Sequence, residues 1–100
     1  MSDQAIPTLS TAAVVIPTFN ERQNLRRLIE GLRRLDAGLL IVVVDDDSPD
    51  GTGDDAQAMA AADPRLKVLR RARKLGRGTA VLEGLREALK DPAVRCVLEM

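Results

Sequence analysis

Three consecutive carboxylates, Asp45-Asp46-Asp47, follow directly on the aliphatic run Leu39-Leu40-Ile41-Val42-Val43-Val44. Acids at the end of a buried strand that pointed inward would repel one another and lose hydration, so the triplet is expected to face a cleft. There, one carboxylate can accept hydrogen bonds from a base N–H or a ribose hydroxyl, while a neighbour orients a loop or a hydrated cation. Taken by itself the triplet also fits a solvated acidic loop. The sequence contains no histidine, which excludes a Ser-His or Cys-His nucleophilic pair and an imidazole metal site within these 100 residues. Its chemistry must rest on carboxylates, amines and backbone.

Two further segments could meet an anionic ligand. In Lys74-Leu75-Gly76-Arg77-Gly78 the glycines permit close backbone approach, and the helix expected to follow favours negative charge at its start. The spacing is neither a Walker loop nor a dinucleotide fingerprint, and a solvated basic loop is the alternative. In Pro17-Thr18-Phe19-Asn20-Glu21, Pro17 reads as a strand terminator and Asn20 as a helix cap, either of which is compatible with ligand contact. Glu21 gains from the helix macrodipole whatever else it does.

These residues must be positioned by the elements around them. Residues 12–16 form a short aliphatic strand ended by Pro17. Leu25, Leu28, Ile29, Leu32 and Leu35 then recur at helical steps opposite an arginine-rich face, giving an amphipathic helix that ends near Gly38. The run 39–44 has no polar alternation, as expected of a parallel strand covered on both faces. Ser48-Pro49-Asp50-Gly51-Thr52-Gly53 is a turn cluster in which Thr52 or Asp50 can cap a second helix, closed by Asp63-Pro64. A short strand covers residues 66–69. A third helix starts near Thr79 with Val81, Leu82, Leu85, Ala88 and Leu89 as its apolar stripe, and residues 94–98 form a fourth strand.

The order βαβαβαβ implies parallel pairing and right-handed crossovers, that is, an α/β, Rossmann-like half of a doubly wound sheet. Ligands of such sheets bind beyond the carboxyl ends of the strands, so the loops after strands one and two matter most. With an order of 3-2-1-4, the fourth strand would be an open edge.

Composition narrows the partners. Fifteen basic and fifteen acidic residues cancel, so no overall field favours nucleic acid or an anionic bilayer. The charges are nonetheless segregated, with acids crowded between residues 45 and 55 and basic residues between 65 and 77. The lone Cys96 has no partner for an internal disulfide, is compatible with a reducing compartment and is expected to pack in the core. No aliphatic run approaches the roughly 20 residues that cross a bilayer. Residues 1–11 read as a polar lead-in to a cytosolic protein.

The segment Val42-Val43-Val44-Asp45-Asp46-Asp47-Ser48-Pro49-Asp50-Gly51-Thr52 resembles the second-strand signature of family 2 glycosyltransferases, and its Ser-Pro-Asp-Gly-Thr ending resembles the lipid-phosphate (dolichol- or polyprenol-phosphate) mannose synthase branch. Val14-Val15-Ile16-Pro17-Thr18-Phe19-Asn20-Glu21 is similar to the family's first strand and nucleotide loop, with Phe19 where tyrosine is frequent. Lys74-Leu75-Gly76-Arg77-Gly78-Thr79-Ala80 resembles its third signature. The three matches fall in the right order, on the expected elements, and cover nearly the whole chain.

The resemblance implies that residues 12–100 are the nucleotide-sugar-binding part of a GT-A fold. It implies transfer of a sugar, mannose from GDP-mannose in this branch, to a polyprenyl or dolichyl phosphate with inversion. By position, Pro17, Phe19 and Glu21 would line the nucleotide, Asp46 would contact the base or ribose, Asp45 would support that contact, and Lys74 would organise the sugar-phosphate site in preference to Arg70 or Arg71. The residues themselves do not choose guanine over uracil, and a relative using another nucleotide sugar stays open.

In this family the fourth strand runs into an Asp-x-Asp motif that holds Mg2+ or Mn2+. Val97-Leu98-Glu99-Met100 resembles the approach to it, so the metal acids are expected beyond Met100 and no catalytic residue within these 100. The segment alone is expected to be marginally stable and inactive, and the complete enzyme to be cytoplasmic or peripheral at the cytoplasmic membrane face. A nucleotide-binding module without catalysis is the alternative. A phosphoacceptor receiver domain fits poorly, because its paired acids follow the first strand and these follow the second.

Overall fold

A computed structural model describes residues 11–72 and 76–100. The elements are β1 (Ala12–Thr18), α1 (Arg22–Leu35), β2 (Leu40–Asp45), α2 (Thr52–Ala60), β3 (Leu66–Arg70), α3 (Arg77–Ala88) and β4 (Cys96–Glu99). All strands pair in parallel, in the order β3-β2-β1-β4. In register, Val15 of β1 lies beside Val42 of β2, and Val42 beside Lys67 of β3.

Because successive strand residues point to opposite faces, the uninterrupted aliphatic run of β2 feeds two core layers. Ile41 and Val43 join Val14 and Ile16 against Leu25, Ile29 and Leu32 of α1 and Ala56 of α2. Leu40, Val42 and Val44 join Ala13 and Val15 against Ala80 and Ala88 of α3.

Several local expectations are corrected. Strand β1 runs through Pro17 to Thr18. Val15 accepts a bond from the Met100 amide on the β4 side, and β4 pairs no further than Val15. Pro17, two residues on, faces that same side, where its missing donor has no partner to lose. Asn20 does not cap α1: Glu21 holds the N-cap position without a side-chain bond, and Asn20 sits in the left-handed region at φ 57°. Helix α1 stops at Leu35, which is 85% exposed instead of completing the apolar stripe. Cys96 is exposed on edge strand β4 and does not pack in the core.

The stripe of α3 also differs from the periodic reading. Its buried residues are Ala80, Gly84 and Ala88, while Leu82 and Leu89 turn outward. Proximity is the cause: a Cβ on Gly84 would lie 2.3 Å from Val15 Cγ1 and 3.1 Å from Val44 Cγ2. Large side chains would hold the helix off the sheet, and small ones let it settle on the valines. Gly84→Ala is therefore expected to destabilise the chain by about 1–3 kcal/mol through overpacking, although alanine is favoured over glycine in a helix by roughly 1 kcal/mol. Urea unfolding followed by far-ultraviolet circular dichroism measures it, and a stabilised variant would contradict the close packing.

Candidate nucleotide site

The loops after β1 and β2 are built as one unit. Three successive backbone amides of the first loop donate to side chains of the second: Asn20 to Ser48 Oγ (2.9 Å), Glu21 to Thr52 Oγ1 (3.0 Å) and Arg22 to Asp50 Oδ2 (3.2 Å). The turn that supplies them is closed by Asp50, whose Oδ1 accepts from the Thr52 amide and hydroxyl. The Thr52 hydroxyl bond, helped by the Thr52 and Arg22 amides and the Arg22 charge, lowers the Asp50 pKa against the opposing effect of burial. Gly51 takes φ 88°, a left-handed angle that favours glycine. The alternating Ser48-x-Asp50-x-Thr52 pattern reads locally as a turn and cap, but its side chains shape the neighbouring loop that carries Phe19 and Glu21.

Beneath this brace the Asp45 side chain is fully buried. Its Oδ1 accepts from Thr18 Oγ1 (2.7 Å) and Ser48 Oγ (2.6 Å), and its Oδ2 from the Ser48 amide (3.0 Å). Asp46, 5% exposed, is gripped by Arg71 through both carboxylate oxygens, Nε to Oδ1 at 2.5 Å and Nη2 to Oδ2 at 2.9 Å. Asp47 alone points to solvent, at φ 54°. The expectation that all three acids face a cleft is thus corrected. Neutral donors satisfy the first, a buried guanidinium neutralises the second, and only the third is free of the desolvation problem.

Arg71 goes further. Its Nη1 donates to Thr79 Oγ1 (2.8 Å) and Glu83 Oε2 (2.7 Å), and its Nη2 also to the Gly76 carbonyl (2.8 Å). The Asp46 bonds foremost, then those of Glu83, push its already high pKa further up against the effect of burial. Arg70 instead turns toward Asp54 and Gln57 on α2. The preference for Lys74 over Arg71 concerns the sugar-phosphate site and does not anticipate this hold on Asp46. Lys74 itself lies outside the described residues.

A cavity of about 190 Å³ opens at the carboxyl end of β1, lined by Pro17, Thr18, Phe19, Glu21, Asp46, Arg77 and Ala80. A neighbour of about 160 Å³ shares Pro17, Thr18, Glu21 and Arg77. Four expected site residues, Pro17, Phe19, Glu21 and Asp46, therefore meet at one cavity, with Asp45 buried behind it. Each cavity is smaller than the roughly 300 Å³ at which ligand pockets begin, so the described residues form part of a site and not an enclosure. A larger groove of about 690 Å³ between α1 and α2 is lined by Ile29, Met59 and arginines. It is remote from the carboxyl ends of β1 and β2, where this sheet type binds ligands.

Among the described residues no three His, Cys, Asp or Glu side chains form a metal-binding group. Asp45 and Asp46 are adjacent, but Thr18, Ser48 and Arg71 occupy their oxygens, so the pair does not fit a resident divalent cation.

A parallel β3-β2-β1-β4 sheet flanked by helices, with acids at the end of β2, is the Rossmann-like half of a GT-A glycosyltransferase fold. The chain belongs to glycosyl transferase family 2, whose model matches residues 13–98. It is 46% identical over 81 residues to a dolichol-phosphate mannosyltransferase of Pyrococcus furiosus, covering 79% of this chain and 23% of that protein. It is 47% identical over 79 residues to a polyprenol monophosphomannose synthase of Mycolicibacterium smegmatis, covering 78% and 29%. Among solved structures, a mannosyltransferase from Pyrobaculum calidifontis in complex with GDP-Man and Mn2+ superposes with a TM-score of 0.69 at 27% identity, covering 77% of this chain and 24% of the other. The chain thus spans only about a quarter of the length of these relatives.

Proposed function

We propose that this chain is the nucleotide-recognition part of a polyprenyl-phosphate mannosyltransferase that uses GDP-mannose. The observation that carries the reading is the meeting of Pro17, Phe19, Glu21 and Asp46 at one cavity beyond the β1 and β2 ends. Phe19 offers a ring for stacking, and Asp46, an acceptor, suits the N–H groups of a base or the hydroxyls of a ribose. The identity to polyprenyl-phosphate mannosyltransferases favours mannose, and the GDP-Man of the Pyrobaculum complex favours guanosine.

In the complete reaction an oxygen of the acceptor lipid phosphate attacks the anomeric carbon, and the carbon–oxygen bond to GDP breaks with inversion. The residues described here bind and orient the nucleotide. Lys74 keeps the role in organising the sugar-phosphate site that the resemblance gives it. The Mn2+ of the Pyrobaculum complex supports a divalent cation in the complete enzyme, held by residues other than Asp45 and Asp46. No described helix is long and apolar enough to cross a membrane, and a peripheral position at the cytoplasmic membrane face would bring the enzyme to its lipid acceptor.

A chimera tests this. The matching segment of the Pyrococcus furiosus enzyme is replaced by this chain, and mannosyl transfer from GDP-mannose to dolichyl phosphate is assayed. Transfer within about tenfold of the parent is the expected result, as volume-conserving exchanges across a shared core are tolerated. A folded chimera that binds GDP without transferring mannose would favour a binding module, and one that uses UDP-sugars would overturn the choice of nucleotide.

A further inference from the structure

Arg71 lines neither cavity at the end of β1, yet it touches both walls of the larger one. On the β2 side it holds Asp46 through both carboxylate oxygens. On the α3 side it holds the Gly76 carbonyl, Thr79 Oγ1 and Glu83 Oε2, which bracket Arg77 and Ala80, the α3 residues that line the cavity. Its side chain is only 4% exposed. Its backbone amide is fixed as well, donating to the Asp45 carbonyl at 2.9 Å.

We propose that Arg71 is a positioning residue for nucleotide recognition, locking the Asp46 carboxylate and the start of α3 into one rigid pair of walls around a nucleoside diphosphate. The inference rests on the nucleotide reading of this cavity. Its physical basis is preorganisation. A carboxylate pinned at both oxygens has its remaining lone pairs in fixed directions, so a ligand donor meets a prepared acceptor and need not freeze a rotating one. Only a planar guanidinium can do this. A lysine ammonium is a point charge that can neutralise Asp46 but cannot also span to Gly76, Thr79 and Glu83. Glu83, with a side chain 43% exposed and outside both cavities, orients the guanidinium from behind.

The test compares the chain with its R71K and E83Q variants. GDP affinity is measured by calorimetry, and melting temperature by far-ultraviolet circular dichroism. R71K is expected to weaken GDP binding by about tenfold or more, the scale seen when a residue that orients a ligating group is lost. E83Q is expected to weaken it by about threefold with an unchanged melting temperature, which a purely structural tie would not produce. If R71K fails to fold, E83Q decides alone. Affinities equal to the parent's in the folded variants overturn the role of Arg71 and leave the nucleotide site standing. Absence of GDP and UDP binding by the parent chain overturns the nucleotide reading and this inference with it.

Discussion

Asp46→Ala is expected to destabilise the chain by about 3 kcal/mol, a large part of the 5–15 kcal/mol that a domain of this kind possesses. The cause is the cation left behind. Arg71 is buried to within a few per cent of complete, and in Asp46 its guanidinium would lose two of the five hydrogen bonds it makes among the described residues and its one buried counter-charge. Glu83 remains at 2.7 Å and keeps the loss at the lower end of the range for a broken buried pair. Removing both charges together, as Asp46→Leu with Arg71→Met, should recover most of the stability, because the desolvation cost of the pair disappears with it. Urea unfolding of the three proteins measures this. A single-variant loss below about 1 kcal/mol would mean that water reaches the guanidinium and that the pair is not buried in solution.

The second large effect is expected at Asp45. Asp45→Asn preserves shape but replaces one acceptor oxygen by a donor, whereas all the Asp45 bonds described above come from donors: the Thr18 hydroxyl and the Ser48 hydroxyl and amide. The hydroxyls can rotate away. The Ser48 amide cannot, and in one amide orientation it faces an NH2 group. In the other orientation the NH2 takes the place of the oxygen that the two hydroxyls share, so a loss of about 2–3 kcal/mol follows from buried hydroxyls left without their acceptor and from the lost charge-assisted bonds. Because Ser48 Oγ also receives the Asn20 amide, the disturbance reaches the loop carrying Phe19 and Glu21. Thermal melting of Asp45→Asn beside Ser48→Ala checks the mechanism. If the asparagine melts with the parent, the carboxylate is not the keystone of the two loops.

Much of the fold is written in the sequence where burial is two-sided. The all-aliphatic β2, placed between two amphipathic segments, has few alternatives to a central parallel strand, and the βαβ order sets the hand and neighbours of the rest. What escapes is whatever depends on distance between elements. Apolarity alone ranks Leu82 and Leu89 above Gly84, yet the approach of α3 to Val15 gives the inward face to glycine and alanine. Cys96 looks like a core residue among Val94, Val97 and Leu98, but its strand lies at the sheet edge.

The site divides in the same way. Pro17, Phe19, Glu21 and Asp46 are legible because they sit at strand ends, where the fold class itself directs attention. Arg71 is not, because it belongs to a run of basic residues that reads as solvated, and its counter-ion lies far away in sequence. A pairing cue was present nonetheless: Asp46 and Arg71 each follow by one residue the last rung of the β2–β3 ladder, where Asp45 stands beside Arg70.

The division of the core into two layers has a consequence for the order in which the protein is made. The buried residues of the layer under α1 and α2 run from Val14 to Leu66, with Val68 the last residue packed against them, whereas the layer under α3 needs Ala80 and Ala88. During synthesis the first layer is therefore complete while the second is still only the bare valine face of β1 and β2. That face, and the side of β1 that later receives β4, must wait for the last described elements to emerge. A nascent chain paused between Val68 and Ala80 would hold a finished half-core beside an exposed one, which is the interval in which a chaperone has an apolar surface to hold.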